Sequence, residues 1–201
     1  MKNLYVQIPL LDEGQCLGII NEVNAFENIV GGCVVDDSAE DKDNHMIDSI
    51  RKTKESYLLE QPGDYRSNPK LDWSWLQDKM YTMVKIVNEK SFQFHIDKPE
   101  GELKYIQYDT SDHYTWHIDT NHTDGEDLYS RKLTGIIMLN DDYLGGDLQF
   151  GMKDKNEKWI TVPKKKGTIT IFPSFLSHRV SHVQRGPRYS IQEFYIGDNF
   201  V

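Results

Sequence analysis

The hydrophobic and polar positions of the chain change period near residue 91. Before that point, apolar residues recur at helical spacing in two places. In "DEGQCLGIINEVNAF", Cys16, Ile19, Ile20 and Val23 form a stripe behind an acidic start at Asp12. In "LDWSWLQDKMYTMVKIVNEK", Trp75, Leu76, Met80, Met83, Val84 and Val87 form another. Both stripes predict amphipathic helices that pack through one face. Between them, the polar "DDSAEDKDNHMID" and the turn-rich "LLEQPGDYRSNPK" predict surface loops or a lid.

From residue 91 the period falls to two. Candidate strands are "SFQFHI", "LKYIQYDT", "YTWHID", "KLTGIIMLN", "DLQFG", "KWITV", "GTITIFP", "SHRVSHV" and "RYSIQEFYI". They are short and evenly spaced, with turn signals such as "KPEG", "YLGG" and "KKKG" between them. That pattern predicts a β-sandwich or barrel preceded by packing helices. The expected organisation is one domain over residues 1–201, with 1–90 as helical support and loops and 91–201 as the β core. A chain of 201 residues is long enough to bury such a core.

Composition narrows the partners. A formal net charge of −9, from 23 basic and 32 acidic residues, disfavours nucleic acid or an anionic membrane as the main partner. Two cysteines, Cys16 and Cys33, make no disulfide framework. The N-terminus lacks an apolar stretch of signal-peptide length, and no segment approaches a membrane span. A reducing cytoplasm is the expected setting, and such a compartment keeps iron ferrous.

The chemistry-bearing feature is a triplet that occurs twice, as His95-Ile96-Asp97 in "SFQFHIDKPEG" and His117-Ile118-Asp119 in "HYTWHIDTNHT". On a strand, a histidine and a carboxylate two residues apart point to the same side. A distant histidine, His178 or His182, would complete the two-histidine, one-carboxylate face typical of non-haem Fe(II) sites. On a regular strand these two would stand about 13 Å apart, so both cannot hold one metal. Either His-x-Asp pair alone could equally be structural.

The surroundings of the second triplet separate it from the first. Tyr108 and Tyr114 lie nine and three residues before His117; Arg131, Thr134, "LNDDYLGGDLQF", "GTITIFPSFLSHRV" and Arg188 follow it. In this order the segment Tyr108 to Tyr195 resembles the prolyl 4-hydroxylase-like branch of the 2-oxoglutarate and Fe(II)-dependent dioxygenases. The resemblance implies a double-stranded β-helix (jelly-roll) core packed by the N-terminal helices. It implies His117, Asp119 and His178 as metal ligands, since the family's distal histidine stands ten residues before a basic residue, here Arg188. His182 stands where the family usually has proline. His95-Ile96-Asp97 has none of this company and is expected to be a surface or hydrogen-bonded pair at a strand end.

The same resemblance gives Arg188 the far carboxylate of 2-oxoglutarate, for which a planar guanidinium is well shaped. Thr134 would add a hydroxyl near the same end, and Tyr108 would lie beside the co-substrate near the metal. Relatives with a tyrosine at the position of Met138 gain a contact that this sequence lacks there. Tyr114 and Trp116 are expected as packing or pocket-wall residues, and Gly145 and Gly146 as a turn. Arg131 matches a frequent family position without an evident role.

The implied reaction is hydroxylation of an unactivated C–H, above all of a prolyl residue in a protein or peptide. O₂ and 2-oxoglutarate would be co-substrates, Fe(II) the cofactor and L-ascorbate a reductant, with release of succinate and CO₂. A free amino acid or other small molecule is also compatible, because fold and iron site do not fix the substrate. Loops 53–73 and 120–130 are expected to flank the site, one of them closing over substrate. Two rivals stand beside this reading. A cupin-type metalloenzyme without 2-oxoglutarate should show His-x-His followed by Glu, and a non-catalytic jelly-roll binding module would carry the site only as a vestige.

Overall fold

The computed structural model describes residues 3–25, 30–32, 50–59, 71–120 and 129–199. Among them the chain begins with strand β1 (Val6–Pro9) and helix α1 (Glu13–Asn24), then β2 (Val30–Gly32), β3 (Arg51–Tyr57) and helix α2 (Ser74–Val87). A π-helical turn (Asn88–Phe92) leads to β4 (Lys98–Pro99), β5 (Lys104–Tyr108), β6 (His113–His117), β7 (Tyr129–Met138), β8 (Leu144–Gly145) and β9 (Leu148–Lys153). The last elements are β10 (Trp159–Thr161), β11 (Thr168–Pro173), β12 (His178–Val180), β13 (Val183–Arg185) and β14 (Arg188–Asp198).

The main strands follow the order β1-β11-β7-β14-β5-β3-β6-β12-β9-β10. Neighbours along this path run antiparallel. Strand β3 turns the corner: Lys54–Tyr57 pair with β5, while Arg51 and Lys52 pair with β6. The path thereby curls into two facing sheets, the jelly roll that the family resemblance implies. β8 and β13 form a separate two-stranded ribbon at one end.

Strand β7 shows how the sequence builds both layers. Its alternate residues Leu133 and Ile137, with Leu139 beyond, join the cluster that α1 and α2 cover, while Ile136 and Met138 join Leu148, Phe150, Val162 and Phe172 between the sheets. A strand buried on both faces reads as a continuous apolar run, as "LTGIIML" does. Helix α2 contributes Leu76, Met80, Val84 and Val87 to the outer cluster. Each such burial stabilises by about 1.5–3 kcal/mol. Helix α1 starts at an Asp12 cap, whose carboxylate accepts from the Gln15 N–H while the Gln15 side chain accepts from the Asp12 N–H. Trp75, expected in the α2 stripe, is instead 41% exposed.

Three expectations change. "SFQFHI" is not a strand: α2 runs on into the π-helical turn, and Gln93 takes a left-handed conformation with φ 60°. The Asn88 side chain holds this reversal, donating to the Phe94 carbonyl at 2.7 Å and accepting from the Phe94 N–H at 2.9 Å. Second, residues 1–90 are not only helices and loops, because β1 extends the large sheet through β11 and β3 joins the two sheets. Third, residues 53–57 of the expected 53–73 loop belong to β3. Residues 60–70 and 121–128, which hold most of the two expected lid loops, and Cys33 lie outside the described residues.

Candidate metal centre and adjoining pocket

His117 ends β6 and His178 begins β12, and the two residues stand opposite each other in the antiparallel register. Asp119 follows β6 and is tied down by its N–H, which donates to the Ser174 carbonyl at 2.8 Å. The three side chains meet. His117 Nε2 lies 3.5 Å from Asp119 Oδ1, and His178 Nε2 lies 3.3 Å from Asp119 Oδ2. Their ligand atoms all fall within 4.8 Å of one another.

Both imidazoles are oriented from behind. His117 Nδ1 is 2.8 Å from the Thr115 carbonyl and His178 Nδ1 is 2.8 Å from the Leu176 carbonyl. A carbonyl can only accept, so each Nδ1 carries a proton and each Nε2 lone pair faces the centre. Burial lowers the His178 pKa, which keeps the imidazole neutral as a ligand requires. Burial alone would raise the Asp119 carboxyl, but His178 and His117, when their Nε2 atoms carry the protons that a metal would displace, and the Thr134 hydroxyl outweigh it and hold it down at about 2. An ionised carboxylate flanked by two inward-facing Nε2 atoms is a donor set suited to a divalent first-row metal.

Thr134 reaches this centre from the opposite sheet. Its hydroxyl donates to Asp119 Oδ2 at 2.8 Å and contacts Ser174 Oγ at 3.0 Å. This corrects the expected place of Thr134 beside Arg188. Along the β7–β14 pairing Thr134 faces Phe194 whereas Met138 faces Ser190. Four residues of strand, about 13 Å, therefore separate Thr134 from the level of Ser190.

That level holds a second feature. Arg188 is 1% exposed and stands opposite Tyr108, with Cζ 4.9 Å from the centre of the Tyr108 ring. Its Nη1 donates to Ser190 Oγ at 2.9 Å, while Nε and Nη2 are buried with no hydrogen-bond partner among the described residues. A buried guanidinium with spare donors and no carboxylate is costly, and calls for an anion. Gly146 lets the arginine stem pack close to the backbone: a Cβ there would lie 3.1 Å from Arg188 Cδ and 3.0 Å from Val183 Cγ2. Gly145 is equally constrained, with φ +69° and the His182 carbonyl 2.2 Å from where its Cβ would be. Burial pushes the Tyr108 phenol up, and Arg188 opposes that in part.

The other singled-out residues lie elsewhere. His182 falls in the break between β12 and β13, where its ring stacks on His113 with centroids 4.0 Å apart. His95 is 69% exposed and lies 3.6 Å from Asp97 and 3.4 Å from Asp198, a solvated surface trio as expected. Arg131 acquires a structural role: its Nε donates to both Glu100 oxygens, and its guanidinium covers the Phe194 ring at 3.8 Å. Tyr114 stacks on His117 with centroids 3.5 Å apart, and Trp116 packs against Trp159 on the sheet.

Sequence reasoning missed Arg51. Strand β3 sets it against Tyr114, with Cζ 4.8 Å from the ring, and it pairs with the buried Glu55. The polar run "RKTKESY" carries no apolar alternation, so the strand could be found only through its partners.

Two facing antiparallel sheets, with a two-histidine, one-carboxylate cluster at the level of β6 and β12, define a double-stranded β-helix protein with a candidate metal centre. The model of the 2OG-Fe(II) oxygenase superfamily matches residues 103–196, the segment that supplies the cluster and Arg188. Solved structures with the same fold include a prolyl-4-hydroxylase of Pseudomonas putida, 15% identical with a TM-score of 0.68 over 96% of this chain and 92% of that one. A prolyl hydroxylase of Trichoplax adhaerens, in complex with a hypoxia inducible factor peptide fragment, is 18% identical with a TM-score of 0.70 over 96% and 84%. The viral collagen prolyl hydroxylase of Paramecium Bursaria Chlorella virus-1 is 16% identical with a TM-score of 0.63 over 98% and 97%. Among curated proteins, acireductone dioxygenase of Xenopus tropicalis is 29% identical over 104 residues. That match covers 48% of this chain, and the chain spans little more than half, 58%, of that relative.

Proposed function

We propose that the protein is a 2-oxoglutarate- and Fe(II)-dependent dioxygenase that hydroxylates a prolyl residue of a protein or peptide. The observation that carries the proposal is Arg188, a buried guanidinium with two unpartnered donors in the same barrel as the His117–Asp119–His178 cluster. His117, Asp119 and His178 would hold Fe(II), leaving room for a chelating keto acid and O₂. The iron would supply the oxygen chemistry, coupled to decarboxylation of the keto acid to succinate and CO₂.

The chain's own residues do the rest. Thr134 and Ser174 fix the Asp119 carboxylate, and the Thr115 and Leu176 carbonyls fix the two imidazoles. Arg188 takes the far carboxylate of 2-oxoglutarate, and the face of Tyr108 forms the wall beside it. Retention of Asp119 favours hydroxylation over halogenation, which in related architectures dispenses with the carboxylate. The prolyl, protein-borne substrate is supported by the fold shared with prolyl hydroxylases, one of them in complex with a peptide.

The partial likeness to acireductone dioxygenase favours a second reading, a metalloenzyme without 2-oxoglutarate. It leaves Arg188 unexplained, and among the described residues the cluster holds no fourth histidine or carboxylate. Anaerobic titration with Fe(II) and 2-oxoglutarate tests both readings. The weak visible charge-transfer band of the keto-acid chelate should develop in the wild type and in His182→Ala, and be absent from His178→Ala. A silent wild type sinks the oxygenase reading. Mass spectrometry of proline-containing peptides for a gain of one oxygen tests the substrate.

A further inference from the structure

We propose that Tyr143, on the loop leading into β8, donates its phenol proton to the far carboxylate of the co-substrate, as a second anchor beside Arg188. This rests on the co-substrate reading above and assigns one more residue to the same pocket.

Tyr143 is only 4% exposed, yet among the described residues its O–H donates to the Met138 sulfur, 3.5 Å away, while its oxygen lies within hydrogen-bonding reach of Arg188. A thioether accepts weakly, whereas buried phenols normally find an oxygen or nitrogen. The surroundings make this mismatch informative. Met138 faces Ser190 across the β7–β14 pairing, and Ser190 holds Nη1 of Arg188. Tyr143 and Arg188 also both approach the bare face of Gly146, where a Cβ would meet Tyr143 Cε2 at 3.2 Å and Arg188 Cδ at 3.1 Å. The poorly used phenol donor therefore lies beside the guanidinium whose Nε and Nη2 have no partner among the described residues.

A carboxylate offers about four lone-pair sites on two oxygens and can accept all three protons. A neutral ligand end could not balance the buried Arg188 charge. Burial pushes the Tyr143 phenol up and the Arg188 charge opposes it, so the hydroxyl keeps the proton that it must donate at neutral pH. The ring is held independently of any ligand: Lys164 Nζ lies 4.4 Å from its centre, and Gly186 leaves room for its Cα and Cβ. The side chain thus supplies from a loop the hydroxyl that the strand position of Met138 lacks.

The test compares two keto acids that share the metal-chelating end and differ at the other. Wild type, Tyr143→Phe and Met138→Leu, each loaded with Mn(II), are titrated calorimetrically with 2-oxoglutarate and with 2-oxobutanoate, which has no far carboxylate. Tyr143→Phe should bind 2-oxoglutarate roughly ten- to a hundredfold more weakly and 2-oxobutanoate unchanged. Met138→Leu should bind both as the wild type does, because the sulfur is not the working partner. Unchanged 2-oxoglutarate affinity in Tyr143→Phe overturns the proposal. So does an equal loss for both acids, which is what a merely structural tyrosine would give. A wild type that does not prefer 2-oxoglutarate overturns the co-substrate reading itself, and this assignment with it.

Discussion

Replacing Arg188 by methionine separates what the residue costs the fold from what it contributes to binding. In the ligand-free protein the guanidinium is 1% exposed, keeps one hydrogen bond, to Ser190, and leaves Nε and Nη2 without partners. Each unsatisfied buried donor costs about 1–3 kcal/mol, and the charge itself adds a desolvation penalty. Against this stand one charged hydrogen bond, worth about 1.5–3 kcal/mol, and the contact with the Tyr108 face, worth about 1–2 kcal/mol. The terms nearly cancel or leave the arginine unfavourable. Arg188→Met, similar in length and apolar, should therefore be as stable as wild type without ligand, or up to about 2 kcal/mol more stable. That gain would appear as a Tm rise of about 2–8 °C for a chain of this size. Binding should behave in the opposite way. Losing the buried partner of a carboxylate costs about 2–5 kcal/mol, roughly thirty- to several-thousandfold in affinity. Urea unfolding with and without Mn(II) and saturating 2-oxoglutarate reads both effects at once. Ligand at a hundred times the wild-type Kd should add about 2.7 kcal/mol to the wild type and less than about 1 kcal/mol to the variant. A variant that is several kcal/mol less stable without ligand yet still gains from 2-oxoglutarate would refute the reasoning.

Two further outcomes follow from the site and its supports. Thr134→Val keeps the side-chain shape but removes the donor to Asp119 Oδ2, so Mn(II) affinity by calorimetry should fall about 10–100-fold. With metal saturated, its 2-oxoglutarate affinity should match wild type; a selective loss of 2-oxoglutarate would put Thr134 back beside Arg188. Glu193 is fully buried under α2, where burial outweighs its bonds from Gln77 Nε2 and the Gly101 N–H and pushes its pKa from 4.5 to about 7. The folded state then holds this proton more tightly than the unfolded chain. The contribution is fully present below about pH 4.5 and is lost as pH rises through about 7, a change on the order of 3 kcal/mol. Glu193→Gln should flatten the fall in urea stability between those pH values; an unchanged slope would show that the group does not carry it.

The surface trio of His95, Asp97 and Asp198 shows why the duplicated His-Ile-Asp needed more than its own residues. Both triplets gain a third donor from a strand, Asp198 from β14 and His178 from β12, but only the second makes a two-histidine, one-carboxylate set enclosed between the sheets, the first being exposed throughout. The sequence order of tyrosine, triplet, distal histidine and arginine already carried that distinction, through its resemblance to the dioxygenase family. His95 instead lies beyond a helix end whose reversal depends on Asn88 folding back onto Phe94, an interaction that apolar periodicity does not record.

Local chemistry along the chain thus determined the two helices and most strands of the β core, each written in the period of apolar residues. His117 and Asp119 share one strand's spacing, whereas the choice of His178 over His182 came from the family resemblance and not from any local pattern. Tertiary structure alone decided that Thr134 serves Asp119, that β3 carries Arg51 to Tyr114, and that Tyr143 meets Arg188 over Gly146. These contacts join elements distant in sequence, through polar side chains that leave no periodic trace. Which donor meets which acceptor is set by the register between strands and the facing of the two sheets, and a linear pattern does not contain either.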